Sequence, residues 1–160
     1  MKWLLTPFFL IFSVAFAEAV TPTGEEWHCQ TISYQQYGNN YLIFIDNTNW
    51  LHKEDGSLHG EGKLEVRIQS KDKPTAHLHF IYASDGNWRL ASDRLLIETI
   101  KPRLTISDKT APELRLAASN IARDVNSKPE QSVASNILFM NEHQLILEDR
   151  ESHDFTRCSR

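Results

Sequence analysis

The clearest pattern in the chain runs from Leu58 to Gln69. Leu58, Gly60, Gly62, Leu64, Val66 and Ile68 fall on one side of a two-residue period, and His59, Glu61, Lys63, Glu65, Arg67 and Gln69 fall on the other. Successive side chains of a strand point to opposite faces, so this is a strand with one dry and one wet face, as in antiparallel sheets. Its two glycines predict a bulge or a tight bend, as at a barrel corner. The stretch from His77 to Ala83 repeats the pattern, with Leu78, Phe80 and Tyr82 on one face and His77, His79 and Ile81 on the other.

The same reading places strands and turns along the rest of the chain. Trp27 to Tyr37 alternates weakly as a first strand, and Gly38-Asn39-Asn40 turns the chain. Tyr41 to Ile45 is a short β-branched and aromatic strand. The polar run Asp46 to Asn49 interrupts it before Trp50-Leu51-His52. Asp55-Gly56 marks a hairpin turn. Lys71 to Pro74 turns the chain again, and Asp85-Gly86 turns it into Trp88-Arg89-Leu90. Ser92-Asp93 reverses it into Leu95 to Ile100.

The period then changes. Pro112 and Glu113 open a helix, with Ser107, Asp108 or Thr110 as candidate caps. Leu114, Ala117, Ala118 and Ile121 share one side of it, and it is expected to end near Asp124. Asn126 to Pro129 is a loop. Val133 to Met140, Gln144 to Asp149 and His153 to Cys158 close the chain as three strands. The expected fold is mainly β: an up-and-down antiparallel meander of about eight strands with one helix before the last three, which closes as a barrel or packs as a sandwich.

Two cysteines sharpen this picture. Cys29 and Cys158 are the only ones in the 160 residues. A lone pair in an exported chain is most simply one disulfide, and the bond requires Cα atoms within about 7 Å. It therefore puts the first and last strands side by side, which favours closure because closure removes exposed edges.

Export is expected from the first residues. Lys2 supplies a positive start, Trp3 to Phe16 an apolar run, and Ala15-Phe16-Ala17 a small-x-small cleavage site. Residues 1–17 are read as a signal peptide, with retention as an N-terminal anchor as the alternative. Residues 18–26 then form a leader, and residues 27–160 a single domain. The expected location is the periplasm. Apolar residues make up 41% of the chain, enough for a sizeable core. The net charge of −4 and the scattered basic residues argue against nucleic acid as a partner.

Candidate chemistry is sparse. His77-x-His79 puts two imidazoles on one strand face, and His59 or His52 are possible third ligands. Spacing alone does not show convergence, so no metal is assigned. There is no Gly-x-Ser-x-Gly and no phosphate loop. Glu61, Glu65 and Glu98 read as solvated strand exteriors. The chain is read as a non-enzyme without a cofactor. The rings Trp27, Tyr41, Phe44, Trp50, Phe80, Tyr82, Trp88, Phe139 and Phe155 are many for a small β domain. Most are expected in the core. A small barrel with a dry interior and a few polar tips also holds apolar ligands. Trp50, His52 and Tyr82 are the candidate tips, with Phe80 and Trp88 as further candidate ligand contacts.

The hairpin Asp85-Gly86-Asn87-Trp88-Arg89-Leu90, followed by Ser92-Asp93-Arg94-Leu95-Leu96-Ile97-Glu98-Thr99, resembles the Gly-x-Trp hairpin of the ToxS-like periplasmic proteins. The helix led by Pro112-Glu113-Leu114, the Asn136-Ile137-Leu138-Phe139 strand and the start Glu26-Trp27 are similar to the same domain. The resemblance implies a lipocalin-like barrel that pairs with the periplasmic domain of a ToxR- or VtrA-like transmembrane transcription factor. It implies that bile salts enter the barrel's hydrophobic chamber and switch on type III secretion and related virulence genes. A stand-alone carrier or inhibitor on the same barrel is the alternative.

Overall fold

The computed structural model describes residues 21–71 and 73–160. The expected signal segment and the start of the leader lie outside the described residues. The rest forms β1 (Trp27–Tyr37), β2 (Asn40–His52), β3 (Ser57–Ser70), β4 (Lys73–Ser92) and β5 (Leu95–Ile106). A 3-10 turn (Pro112–Leu114) and helix α1 (Arg115–Ser127) follow, then β6 (Gln131–Met140), β7 (Gln144–Asp149) and β8 (Phe155–Ser159). The strands pair antiparallel in sequence order, and β8 returns to β1 to close the barrel. This is the expected architecture: an up-and-down eight-stranded barrel with its helix before the last three strands.

The seam is where the cysteines placed it. Cys29 stands directly opposite Cys158 in the β1–β8 ladder, with Cα atoms 4.0 Å apart and the sulfurs bonded. The start of the described chain is tied to the same end of the barrel. Pro22 is fully buried and its carbonyl accepts from Trp27 Nε1 at 2.8 Å. The Arg160 guanidinium lies 4.3 Å from the Trp27 ring and donates to the Thr23 carbonyl.

Closure does not extend over the full height of the wall. Among the described residues, β8 meets β1 at His28 to Thr31 alone, and β6 meets β5 at Leu95 to Ile100 alone. Past those points β1 runs on through Ile32 to Tyr37, and β5 through Lys101 to Ile106. Helix α1 covers the β5 overhang. Ala118 and Ala122 are its buried residues, small enough to let the helix approach the sheet closely. Asn126 then fills in for a missing strand: its carboxamide accepts from the Leu104 N–H at 2.7 Å and donates to the Leu104 carbonyl at 3.0 Å.

Two apolar clusters result. One surrounds the disulfide and contains Trp27, Leu96, Ile137, Leu145 and Leu147. The other lies under the helix and contains Val66, Leu78, Phe80, Tyr82 and Leu104. Trp50 packs against both.

Several local expectations change. The Asp46–Asn49 run does not break β2, because both its faces are used. Asn47 and Asn49 accept from or pair with Gln30 and His28 across the outer ladder at 2.9 and 2.8 Å, while Asp46 and Thr48 turn inward. Asp85-Gly86 is not a turn but the middle of β4; Gly86 is needed there because a Cβ would collide with the Thr99 carbonyl of β5. Gly60 and Gly62 make no bulge. The β2–β3 register is regular across them, and the ladder shifts lie elsewhere, at Ser70, Leu90/Ser92 and Ile137/Phe139. Helix α1 runs to Ser127 and has no side-chain N-cap; Thr110 is instead buried, bonded through its hydroxyl to the His79 backbone. The last strand starts at Phe155 rather than His153, which adopts φ 60° in the preceding turn. Tyr41, Phe139 and Phe155 are outside the core, 54%, 44% and 58% exposed.

Candidate functional site

Between the two apolar clusters the barrel holds a chamber of about 220 Å³. The inward faces of the strands build it. β1 contributes Cys29 and Thr31, and β2 contributes Asp46, Trp50 and His52. Tyr82 comes from β4, Glu98 and Ile100 from β5, and Val133 and Ser135 from β6. Asp149, Ser152 and Asp154 line it around the β7–β8 turn. Gly60 explains how Trp50 fits there: a Cβ at that position would meet the Trp50 ring. Wider depressions on the outside, such as the one flanked by Asn39, Tyr41, Gln69 and Lys73, are open to solvent.

Each polar group of the chamber has a distinct electrostatic setting. His52 is 2% exposed, and its Nε2 lies 2.7 Å from Glu98 Oε1. The His52 ring also meets Trp88 edge-on, with centroids 5.4 Å apart. The other ring nitrogen, Nδ1, has no hydrogen-bond partner among the described residues. The Asp46 carboxyl is pushed up to about 6 by burial, opposed by the hydrogen bond it accepts from Thr48. Burial also raises the Tyr82 phenol above its ordinary range. Asp149 Oδ1 accepts from the backbone N–H groups of Glu151 and Ser152 at 2.8 and 2.7 Å. Thr31 and Thr156 share a hydroxyl hydrogen bond of 2.6 Å.

The lining therefore carries four carboxylates, Asp46, Glu98, Asp149 and Asp154, and no lysine or arginine. This differs from the dry, apolar interior expected from the aromatic content. Asp46 reads as part of a break between two strands, and Glu98 as a solvated strand exterior, so neither is expected in the interior. Glu98 in particular is not a solvated exterior residue: its side chain is 14% exposed and faces His52. The signal available in the sequence was its phase. Glu98 shares the two-residue period of Leu96 and Ile100, which face inward with it.

Of the expected ligand contacts, Trp50, His52 and Tyr82 line the chamber. Phe80 is buried in the helix-side core, outside the chamber lining. Trp88 stands behind His52 and donates its Nε1–H to the Lys53 carbonyl at 2.8 Å, so it supports the wall without lining it. His77 and His79 stack on the outer face, 6.4 Å apart, with His77 Nδ1 2.8 Å from Glu65. Arg67 and His77 hold the Glu65 carboxyl down to about 2. His59 pairs with Asp85 on the outside at 2.7 Å, whereas His52 faces in. The four histidines thus sit on opposite sides of the wall. Among the described residues no group of His, Cys, Asp and Glu is placed to hold a metal ion.

Comparison of the chain with protein-family models and with curated proteins gives no match.

Proposed function

We propose that this chain is an exported, ligand-holding barrel that acts by binding rather than by catalysis. The observation that supports it is the chamber. It lies between two apolar clusters, yet its wall carries four partly buried carboxylates, one of them paired with the buried His52. Burying such groups destabilises a fold, and a core that only had to be stable would be filled with apolar side chains. The disulfide fits an oxidising compartment such as the periplasm. No helix among the described residues is long and apolar enough to cross a membrane.

The proposal extends to pairing with the periplasmic domain of a ToxR- or VtrA-like regulator. That part rests on the ToxS-like resemblance of the Trp88 hairpin. One feature of the fold favours it: among the described residues the β1 overhang from Ile32 to Tyr37 pairs with β2 alone, and Ile32 and Tyr34 on it and Phe155 near it are exposed. Such an edge is a template for strand addition. The ligand would shift the regulator by binding one paired state better than another.

The resemblance names a bile salt as that ligand. A chamber of about 220 Å³ is below the roughly 300–1,000 Å³ that holds drug-sized ligands, so a steroid needs it enlarged. A partner strand along the β1 overhang is the available means. Calorimetric titration of the barrel with a conjugated bile salt, alone and with the regulator's periplasmic domain, tests this. Heat only in the presence of the partner is the expected result, and no heat in either case rules the bile salt out. Co-purification tests the pairing. The stand-alone carrier reading is favoured by closure of the barrel within one chain. It predicts that deleting the gene leaves the regulator's output unchanged.

A further inference from the structure

We propose that the open edge of β1 pairs with the same edge of a second copy of this chain, joining two barrels by an antiparallel strand pair about a two-fold axis at Gln35. This does not depend on the ligand-holding reading. It puts a second copy in competition with the regulator's strand for one edge.

The argument starts from a difference between two overhangs. β6 leaves β5 at Ile100, and β8 leaves β1 at Thr31. Past Ile100 the β5 edge is guarded. Lys101 and Arg103 put charges on it, and Pro102 offers no backbone donor. Asn126 occupies the Leu104 backbone groups, and Ala118 and Ala122 of helix α1 pack in the same cluster as Leu104. Charges, proline and a covering helix are the devices by which natural sheets keep an edge from pairing with another chain. The β1 edge has none of the sequence devices. Thr31-Ile32-Ser33-Tyr34-Gln35-Gln36-Tyr37 contains no charged residue and no proline. Its ladder with β2 runs in regular register to Tyr37↔Asn40, so no bulge twists the edge away.

The edge is also competent to take a strand on that side, because β8 already pairs there antiparallel at His28 to Thr31. Phe155 lines a groove with Ile32 just beyond that ladder, so the open length runs from Ser33 to Tyr37 and its midpoint is Gln35. An occupant must be extended, uncharged, antiparallel and short of backbone partners itself. The same five residues of a second copy meet each condition. In an antiparallel pair directly opposed residues share a face, so a two-fold at Gln35 sets the two Gln35 side chains against each other. It also lays Gln36 of the second copy against Tyr34, whose ring is 71% exposed in the single chain. No like charges are opposed anywhere along the pair. Because each edge is used once, the assembly closes at two copies.

Sedimentation velocity of the exported, disulfide-bonded chain over a concentration series tests the pairing. A strand pair this short buries less than the roughly 1,200 Å² of a stable interface, so half-conversion from one copy to two is expected at about 10–100 μM. Gln35→Lys sets two ammonium groups opposite each other and is expected to weaken self-association about fivefold, with the melting temperature of the single chain unchanged. Gln35→Cys, oxidised after folding, is expected to give a cross-linked dimer. Ile81→Cys, exposed on the outer face of β4, is expected to give none. Cys29 and Cys158 are bonded to each other, so no native thiol competes. One copy throughout the series, with no cross-link at Gln35→Cys, overturns the proposal and leaves the edge to the regulator, whose pairing co-purification reads separately. Unchanged self-association in Gln35→Lys, or equal cross-linking in Ile81→Cys, puts the contact elsewhere and overturns it as well.

Discussion

His52 on β2 and Glu98 on β5 are 46 residues apart in sequence and meet inside the barrel, Nε2 to Oε1 at 2.7 Å. Neither residue has a neighbour in the chain that would hold it there. The pair exists because β2 through β5 are laid side by side in unbroken antiparallel register.

Removing one member should cost more than altering the charge. His52→Ala leaves the Glu98 carboxylate buried without its donor and should destabilise the fold by about 2–4 kcal/mol. Glu98→Gln keeps an oxygen that accepts from Nε2–H and should cost about 1 kcal/mol or less. Urea midpoints of the two variants check the order.

Asn126 provides a second test. Its two hydrogen bonds to Leu104 satisfy backbone groups that β6 leaves behind. Asn126→Ala exposes both to the helix underside and should cost about 1–3 kcal/mol. Asn126→Asp keeps the acceptor but loses the donor and should fall between the two. Hydrogen exchange at Leu104 N–H should rise in the alanine variant and stay low in the aspartate one.

The disulfide spans 129 residues, so in the chain-entropy model it contributes up to about 5 kcal/mol. Reduction, or Cys29→Ser, should lower unfolding stability by several kcal/mol and loosen the β1–β8 seam first, because that ladder has only four paired positions. Guanidinium denaturation with and without reductant measures the loss. Unchanged stability would mean the seam is held by its strands alone.

Asp46 predicts a pH dependence with a definite sign. Its folded pKa, about 6, lies above the ordinary 3.8, so the fold favours the protonated form. Between those values the folded state binds more protons than the unfolded one, and this group's contribution to stability falls as pH rises through the window. The cost is complete above about pH 6. Asp46→Asn removes it, and should stabilise the protein by about 1–3 kcal/mol at neutral pH and by little at pH 4. The groups that share the chamber, Tyr82, His52, Glu98, Asp149 and Asp154, are unchanged in the variant, so the difference between the two pH profiles reports Asp46. Thermal melts across this range measure it.

Much of the fold was legible in the chain. Two-residue alternation from Leu58 to Ile68 and from His77 to Tyr82 marked the walls, the change of period at Pro112 marked the helix, and the cysteine pair marked the seam. These are local signals, or in the cysteines' case a bond with its own distance requirement. The chamber was only partly legible. Trp50, His52 and Tyr82 could be picked out because rings on a strand are conspicuous. Asp46 and Glu98 could not: Asp46 sits in a polar run that reads as a break between strands, and Glu98 reads as solvent-facing until its neighbours in space are known.

What the sequence determined by itself was the alternation of each strand and the pairing of the two ends. Tertiary structure alone decided which polar residues the closed wall would enclose. The reason is that facing is relative: alternation says that Asp46 and Thr48 share a side, but only the register against Thr31 and Cys29 makes that side the interior.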